Sequence, residues 1–180
     1  MRKFFLILLF CYFIPLNGQD KVFTKKGYIK FFSETIVEDI KAENDAVLSI
    51  INTSTGEIAI AMQMNQFEFP KKLMQEHFNE NYIESEKYPK STFKGRIANF
   101  SEIPENKTTK TVVKGTMTIH GVSKDLTIST NLTKKEGNIV MEGKFIIKLK
   151  DYQIKIPRIV IKNIAEEIEV IYNFSHLSYN

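Results

Sequence analysis

Alternation of apolar and polar side chains is the main pattern of this sequence. From Ile58 to Met64, every second residue is a large apolar one, and four later stretches repeat this pattern. A period of two is typical of a β-strand with one buried and one solvated face. The alternating stretches cover residues 57–64, 112–119, 125–132, 141–149 and 167–174. With shorter candidates at 27–33, 47–52 and 92–100, the sequence predicts about eight strands.

One segment departs from this alternation. Leu73, Met74 and Phe78 recur with helical spacing after Pro70, a residue type favoured in the first turn of a helix. The spacing predicts one short helix from about Pro70 to Asn81, with a single apolar stripe. Successive strands with one helix among them indicate an all-β, antiparallel sheet, which protects its edges by closing into a barrel or folding into a sandwich.

Three glycines share the inward parity of the apolar residues in their strands, namely Gly95, Gly115 and Gly143. Two explanations are open. Such glycines mark the bends that a curved sheet needs. They also leave interior room, and a closed sheet of about eight strands encloses just enough space for side chains or for one small ligand.

The first 19 residues differ in composition from the rest of the chain. Two basic residues precede an apolar run of about 13 residues, and polar residues follow it. This organisation is typical of a secretory signal peptide, since a transmembrane helix needs about 20 apolar residues. We expect a signal peptide over residues 1–19, cleaved near residue 18–19, and one exported domain over residues 20–180. The alternative is a retained signal anchor.

Charge and cysteine content narrow the function classes further. The whole chain carries +4, but without Arg2 and Lys3 the remaining 23 basic and 21 acidic residues leave only +2. Nucleic-acid binding therefore has little support. Cys11 is the only cysteine and lies in the predicted signal peptide, so the mature domain has no thiol. Export without disulfides suits a bacterial periplasmic or secreted protein.

Several motifs occur in an order that resembles a known family. They are the segments 73–82, 88–95, 113–122 and 151–157. Together they closely resemble the YceI-like family of bacterial exported proteins, over roughly Gly27 to Leu177. The resemblance implies an extended, lipocalin-like antiparallel β-barrel that holds a long apolar ligand. Polyisoprenoids, isoprenoid quinones and fatty-acyl-like lipids are the ligand classes that it suggests.

The residues and the resemblance together favour a binding protein, not an enzyme, that acts as a carrier, a store or a stress-related scavenger. No cofactor or metal is expected. Ligand contacts are expected from bulky residues with inward parity or a place near the helix: Phe67, Phe69, Met74, Phe78, Phe93, Met117, Phe145 and Tyr172. The resemblance places His77 on the helix that borders the barrel, so we expect it at the polar end of the ligand.

Two other function classes are open. An envelope enzyme, such as a metal-assisted hydrolase or an isomerase, would use His77 with Glu76 and Glu80, but ligands on one helix do not complete a metal site. Ser123 and Asp125 lie too close to His120 along the chain to imply a catalytic triad. An adhesive or structural protein would expose an apolar patch on the outer face, which the polar outward positions argue against.

Contact with a membrane is a further expectation. A mild basic cluster occurs late in the chain, at Lys148, Lys150, Lys155, Arg158 and Lys162. Such a cluster is usually a solvated face, and it also fits weak attraction to anionic lipid head groups. The sequence is compatible with transient binding to a membrane surface and with a homodimer.

Overall fold

A computed structural model of the chain describes residues 20–34, 39–156 and 165–178. Eight antiparallel strands form a closed barrel in which each strand pairs with its neighbours in the chain and the last pairs with the first. The strands are β1 Lys21–Ser33, β2 Ile40–Asn52, β3 Glu57–Gln63, β4 Lys90–Ile97, β5 Thr109–Ile119, β6 Val122–Lys135, β7 Asn138–Lys148 and β8 Glu167–Ser178. The predicted all-β barrel is confirmed. The predicted signal peptide lies outside the described residues.

Strands β1 and β2 are longer than the sequence predicts. They begin at Lys21 and Ile40, whereas the alternation indicates 27–33 and 47–52. Their pairing shifts register between Thr24 and Gly27 and again before Ile29. Because a bulge inserts an unpaired residue and moves the following side chains to the other face, it hides the period of two.

The predicted helix at 70–81 is an α-helix, α1 Lys72–His77, that continues into a π-helical turn, Phe78–Tyr82. The predicted apolar stripe is wrong at Leu73, whose exposed fraction is 61%. Leu73 lies one position, or about 100°, away from Met74. The half-buried stripe instead contains Met74 and Phe78, which are four residues apart and therefore share a face.

One end of the barrel is filled by the chain itself, and we call it the closed end. The β4–β5 connection contributes Phe100 and Ile103, each only 6% exposed. The Lys134 ammonium donates to the Phe100 carbonyl and lies 3.9 Å from the centroid of its ring. Burial lowers the pKa of Lys134. The inward residues of this half include Val47, Ile51 and Leu132, all fully buried.

The other end, which we call the mouth, is bordered by longer connections. The β3–β4 connection carries α1 and the π-helical turn, and a 3₁₀ turn, Leu149–Tyr152, follows β7. The two-residue turn between β5 and β6 also lies here, with His120 at φ 51° and Gly121 at φ 75°. Two successive positive φ values suit the twist of a tight hairpin.

The three inward glycines make room for the chain's own aromatic rings. Gly95 pairs with Gly115 across β4 and β5. A Cβ atom at either position would lie within 2.9 Å of the Phe93 ring, and a Cβ at Gly143 would lie 2.7 Å from the Tyr172 hydroxyl. The expectation that these positions leave space for a ligand is therefore wrong.

The outer face of the barrel is less polar than the alternation predicts. Leu48, Ile50 and Leu177 are 50%, 39% and 58% exposed. Phe23 of β1 pairs with Ile50 on one side and Leu177 on the other, so these residues form one short row. Among the described residues, no helix has the length and apolar character needed to cross a bilayer.

Candidate functional site

An apolar cavity of about 340 Å³ occupies the half of the barrel next to the mouth. This volume is at the lower end of the roughly 300–1,000 Å³ found for small-molecule sites. Along β4 and β8 the wall ends at Phe93 and Phe174, each 1% exposed. Ile97 and His176, the next inward side chains, belong to the closed end. These two rings therefore form part of the cavity floor.

All nine residues predicted to contact a ligand line this one cavity. Four belong to the barrel wall: Phe93 of β4, Met117 of β5, Phe145 of β7 and Tyr172 of β8. Five belong to the β3–β4 connection: Phe67, Phe69, Met74, His77 and Phe78. The structure brings together residues that are more than 100 positions apart in the chain. Their contact with a ligand stays a prediction.

An aromatic cluster lies where the β3–β4 connection meets the barrel. The Phe78 ring centroid lies 5.0 Å from that of Phe69, 5.5 Å from that of Phe31 and 5.9 Å from that of Phe67. These separations are typical of favourable aromatic pairs. The cluster fixes the π-helical turn against β1 and gives this part of the cavity a rigid, apolar wall.

The few polar side chains of the cavity differ in their partners. The Tyr172 hydroxyl is hydrogen-bonded to Thr130, and burial raises its pKa despite that bond. Burial also raises the pKa of Tyr82. Ser91 is 2% exposed, and its hydroxyl has no hydrogen-bond partner in the described part of the chain.

His120 connects three segments around the mouth. Its Nε2 lies 2.7 Å from Glu84 Oε2, just after the π-helical turn, and its Nδ1 lies 3.3 Å from the Tyr152 carbonyl. The Tyr88 ring packs 4.4 Å from the imidazole, centroid to centroid. The hydrogen bond from His120 is the main reason that the pKa of Glu84 is lowered. This polar contact joins the β3–β4 connection to the β5–β6 turn.

The geometry does not favour the enzyme alternative. His77 is exposed at the edge of the cavity. Within residues 20–34, 39–156 and 165–178, no three His, Cys, Asp or Glu side chains are grouped so that they could hold a metal ion. The Asp125 carboxylate accepts from Thr116 and the Ser123 hydroxyl is bonded to Thr118, whereas the ring nitrogens of His120 contact Glu84 and Tyr152.

Some lining residues were absent from the prediction. Phe31 belongs to the aromatic cluster, and Ser91 and Tyr82 supply polar groups. Phe31 lies two residues after the inward-facing Ile29, and Ser91 lies two residues before the inward-facing Phe93. The alternation could therefore have predicted that both face inward. No sequence signal shows that the Ser91 hydroxyl lacks a partner, because that depends on residues from other strands.

Solved structures with the same fold support this description. A polyisoprenoid binding domain from Saccharophagus degradans, implicated in plant cell wall breakdown, matches with a TM-score of 0.77 and 14% identity, covering 90% of this chain and 100% of that one. BcnA from Burkholderia cenocepacia matches with a TM-score of 0.70 and 16% identity, over 84% and 96% of the two chains. At such identities the likeness shows the fold alone.

A third solved structure, the YceI protein of Campylobacter jejuni, matches with a TM-score of 0.52 and 18% identity, over 87% of this chain and 86% of that one. A search of curated proteins found no match. The family model described as the YceI-like domain matches residues 21–175. The barrel, its apolar cavity and this match lead to one conclusion: the chain belongs to the YceI-like family.

Proposed function

We propose that this chain is an exported protein that holds one long apolar ligand inside its barrel and carries, stores or scavenges it. A polyisoprenoid, an isoprenoid quinone or a fatty-acyl-like lipid fits this role. The observation that carries the proposal is the hollow half of the barrel, whose wall is almost entirely Ile, Leu, Val, Met, Phe and Tyr. The related S. degradans structure, a polyisoprenoid binding domain, supports the same ligand class.

The burial of a long apolar chain can drive binding without any covalent chemistry. Burying about 15 methylene groups at roughly 0.8 kcal/mol each gives a gross benefit of about 12 kcal/mol. Association costs about 4–15 kcal/mol in lost freedom and ordering. Affinity therefore depends on how well the cavity is preorganised, and the aromatic cluster supplies rigid walls for that purpose.

The cellular setting of the proposal comes from the first 19 residues. A cleaved signal peptide would deliver the domain to the periplasm or beyond the cell, where a lipid needs a carrier to cross water. Of the predicted basic cluster, Lys148 ends β7 at the mouth, Lys150 and Lys155 follow it, and Arg158 and Lys162 lie outside the described residues. The three described lysines support transient contact with anionic lipid during loading. Lys148 lies 3.1 Å from Glu167, so its charge is partly neutralised.

Lipid analysis of the protein from its native host tests the proposal. Native mass spectrometry before and after organic extraction should show an apolar ligand that leaves with the solvent. Protein that is free of ligand and also fails to bind N-phenyl-1-naphthylamine, an apolar fluorescent probe, would contradict the proposed function.

Two adjacent residues of β7 provide a matched control. Ile147 lines the cavity, whereas Ile146 points outward and is 46% exposed. Ile147→Lys introduces a charge into the apolar wall and should weaken probe binding at least tenfold, because burying an unpaired charge is costly. Ile146→Lys places the same group in solvent and should leave probe binding unchanged.

A further inference from the structure

Five hydroxyl- or imidazole-bearing side chains line the cavity within the described ranges. They are Ser33, His77, Tyr82, Ser91 and Tyr172. Two of them have partners inside the protein. The Ser33 hydroxyl accepts from the Ala165 N–H at 3.1 Å, and the Tyr172 hydroxyl is bonded to Thr130. The remaining three belong to the β3–β4 connection and the start of β4.

Ser91 is the most informative of these three. It lies next to the first residue of β4, pairs with Met62 of β3 and faces inward with Phe93. It is 2% exposed, and its hydroxyl has no partner among the residues that the structure describes. A buried hydroxyl without a hydrogen bond is destabilising, and most buried polar groups are satisfied. A group supplied by a ligand would remove this cost.

Tyr82 offers a second hydrogen-bonding group in the lining of the same cavity. It ends the π-helical turn and is half-buried, and its hydroxyl has no hydrogen-bond partner among the described residues. The cavity thus has unused hydrogen-bonding capacity at the mouth side. Its floor at Phe93 and Phe174 presents only apolar rings.

Charge restricts the ligand further. No Asp, Glu, Lys or Arg side chain lines the described cavity. An ionised head group buried at Ser91 would lose its hydration without a fixed counter-charge, which is far more costly than burying a hydroxyl or a carbonyl. His77 is exposed at the edge of the cavity and does not provide a buried counter-charge for a head group at Ser91.

We propose that the ligand has one long apolar chain and one uncharged hydrogen-bonding group, a hydroxyl or a carbonyl, which the Ser91 hydroxyl binds with Tyr82 as a second contact. The chain then occupies the apolar remainder of the cavity. This inference rests on the proposed function and specifies the ligand chemistry of the same cavity. Lipid anions are the ligands that it disfavours.

Three probes of equal chain length test the inference: dodecan-1-ol, dodecane and dodecanoate. Each is measured at pH 8 by competition against N-phenyl-1-naphthylamine, with the mature protein. The ratio of alcohol affinity to alkane affinity should be about fivefold higher for the native protein than for Ser91→Ala, as expected for one hydrogen bond, and the native protein should bind the alcohol more tightly than the anion. Alkane binding should be kept in Ser91→Ala, and Tyr82→Phe should lower the ratio less.

Matched substitutions on the outer face are the controls. Ser175→Ala and Tyr28→Phe remove the same groups outside the cavity and should retain the native ratio of alcohol affinity to alkane affinity. An unchanged ratio in Ser91→Ala would overturn the inference and leave the apolar carrier intact. Tighter binding of dodecanoate than of dodecan-1-ol would contradict the proposal that the head group is uncharged. Failure of all three probes to bind would overturn both proposals.

Discussion

The closed half and the hollow half of the barrel share the same strands but differ in the side chains that point inward. Residues of the closed half are mainly branched aliphatics such as Val47, Ile51 and Leu132, packed without exposure. The hollow half is richer in methionine and phenylalanine, including Met117 and Phe145. Branched side chains have few rotamers and pack into a fixed core, whereas methionine adapts to an irregular surface.

This difference separates two tasks within one sheet. Side chains of the closed half touch protein atoms on all sides and gain their full dispersion energy. Side chains around the cavity lack partners on one side and contribute less to the folded state. We therefore expect the closed half to determine stability and the hollow half to determine what is bound.

The largest expected effect is a cavity made in the closed half. Leu132→Ala should lower the free energy of unfolding by about 3 kcal/mol, because Leu132 is fully buried. The matched change in the hollow half, Ile147→Ala, should cost less than about 1 kcal/mol, because Ile147 is half-buried and already borders a void. Urea denaturation measures both. Equal losses would contradict the division between the halves.

Acid should weaken the closed half through His176. This side chain is fully buried; its Nδ1 donates to the Ile139 carbonyl at 3.1 Å, and its Nε2 accepts from the Ser49 hydroxyl at 2.8 Å. Burial lowers its pKa from 6.5 to about 4. Between these values the unfolded chain binds more protons than the folded one. Stability therefore falls as the pH falls from about 6.5 to about 4, by up to about 3 kcal/mol.

His176→Gln tests this assignment, since an amide keeps a donor and an acceptor but does not titrate. Urea denaturation at several pH values should show a flatter curve for this variant than for the native protein. His77→Gln is the control, because His77 is exposed at the mouth and its replacement should leave the native slope. If the free energy of unfolding depends on pH in the same way in all three proteins, His176 is not the cause of the acid sensitivity.

Added side-chain atoms at the boundary between the closed half and the hollow half should destabilise the protein, and most where they meet the backbone. A Cβ at Gly115 would meet the Lys94 carbonyl oxygen and would lie 2.6 Å from the Gly95 Cα, both of which are backbone atoms. Gly115→Ala should therefore destabilise the protein by about 2 kcal/mol. Gly143→Ala should cost less, because its nearest backbone atom, the Ser129 carbonyl oxygen, lies 3.0 Å away and the closer atom, the Tyr172 hydroxyl, belongs to a side chain. Thermal denaturation measures both variants. A larger fall in the thermal midpoint for Gly143→Ala than for Gly115→Ala would contradict this expectation.

The smallest effect is expected at the mouth. Glu84→Gln weakens the contact with His120, which is close to solvent, so the thermal midpoint should not change. Amide hydrogen exchange in residues 78–88 should become several times faster, since the β3–β4 connection loses its polar link to the β5–β6 turn. Glu86→Gln alters an exposed carboxylate of the same segment and should leave exchange unchanged. Identical exchange in both variants would show that the His120 contact does not hold the segment.

The parts of the fold that the sequence predicts are those encoded by the alternation of apolar and polar residues in the strands. Alternation fixes which residues face inward, and this places Phe93, Met117, Phe145 and Tyr172 around the cavity correctly. It also fails for a physical reason at β1, where the register shifts around Gly27 reverse the parity. A helical spacing alone does not distinguish Leu73 from Met74, because the direction of the buried face depends on where the connection docks.

Contacts between distant segments could not be predicted in this way. The His120 contact with Glu84 joins residues 36 positions apart and depends on how the π-helical turn packs on Phe31. The unsatisfied hydroxyl of Ser91 is likewise a property of its surroundings, not of its own strand. The sequence therefore predicts the wall of the site well and its polar groups poorly.

The floor formed by Phe93 and Phe174 has an evolutionary consequence. Because side-chain rings, and not the backbone, form this part of the floor, the depth of the cavity along β4 and β8 can change through single substitutions while the hydrogen bonds between strands remain intact. Smaller residues at these two positions would extend the hollow towards the closed end. Under the proposed function, such substitutions would change the length of the hydrocarbon chain that fits, with the same eight-stranded framework.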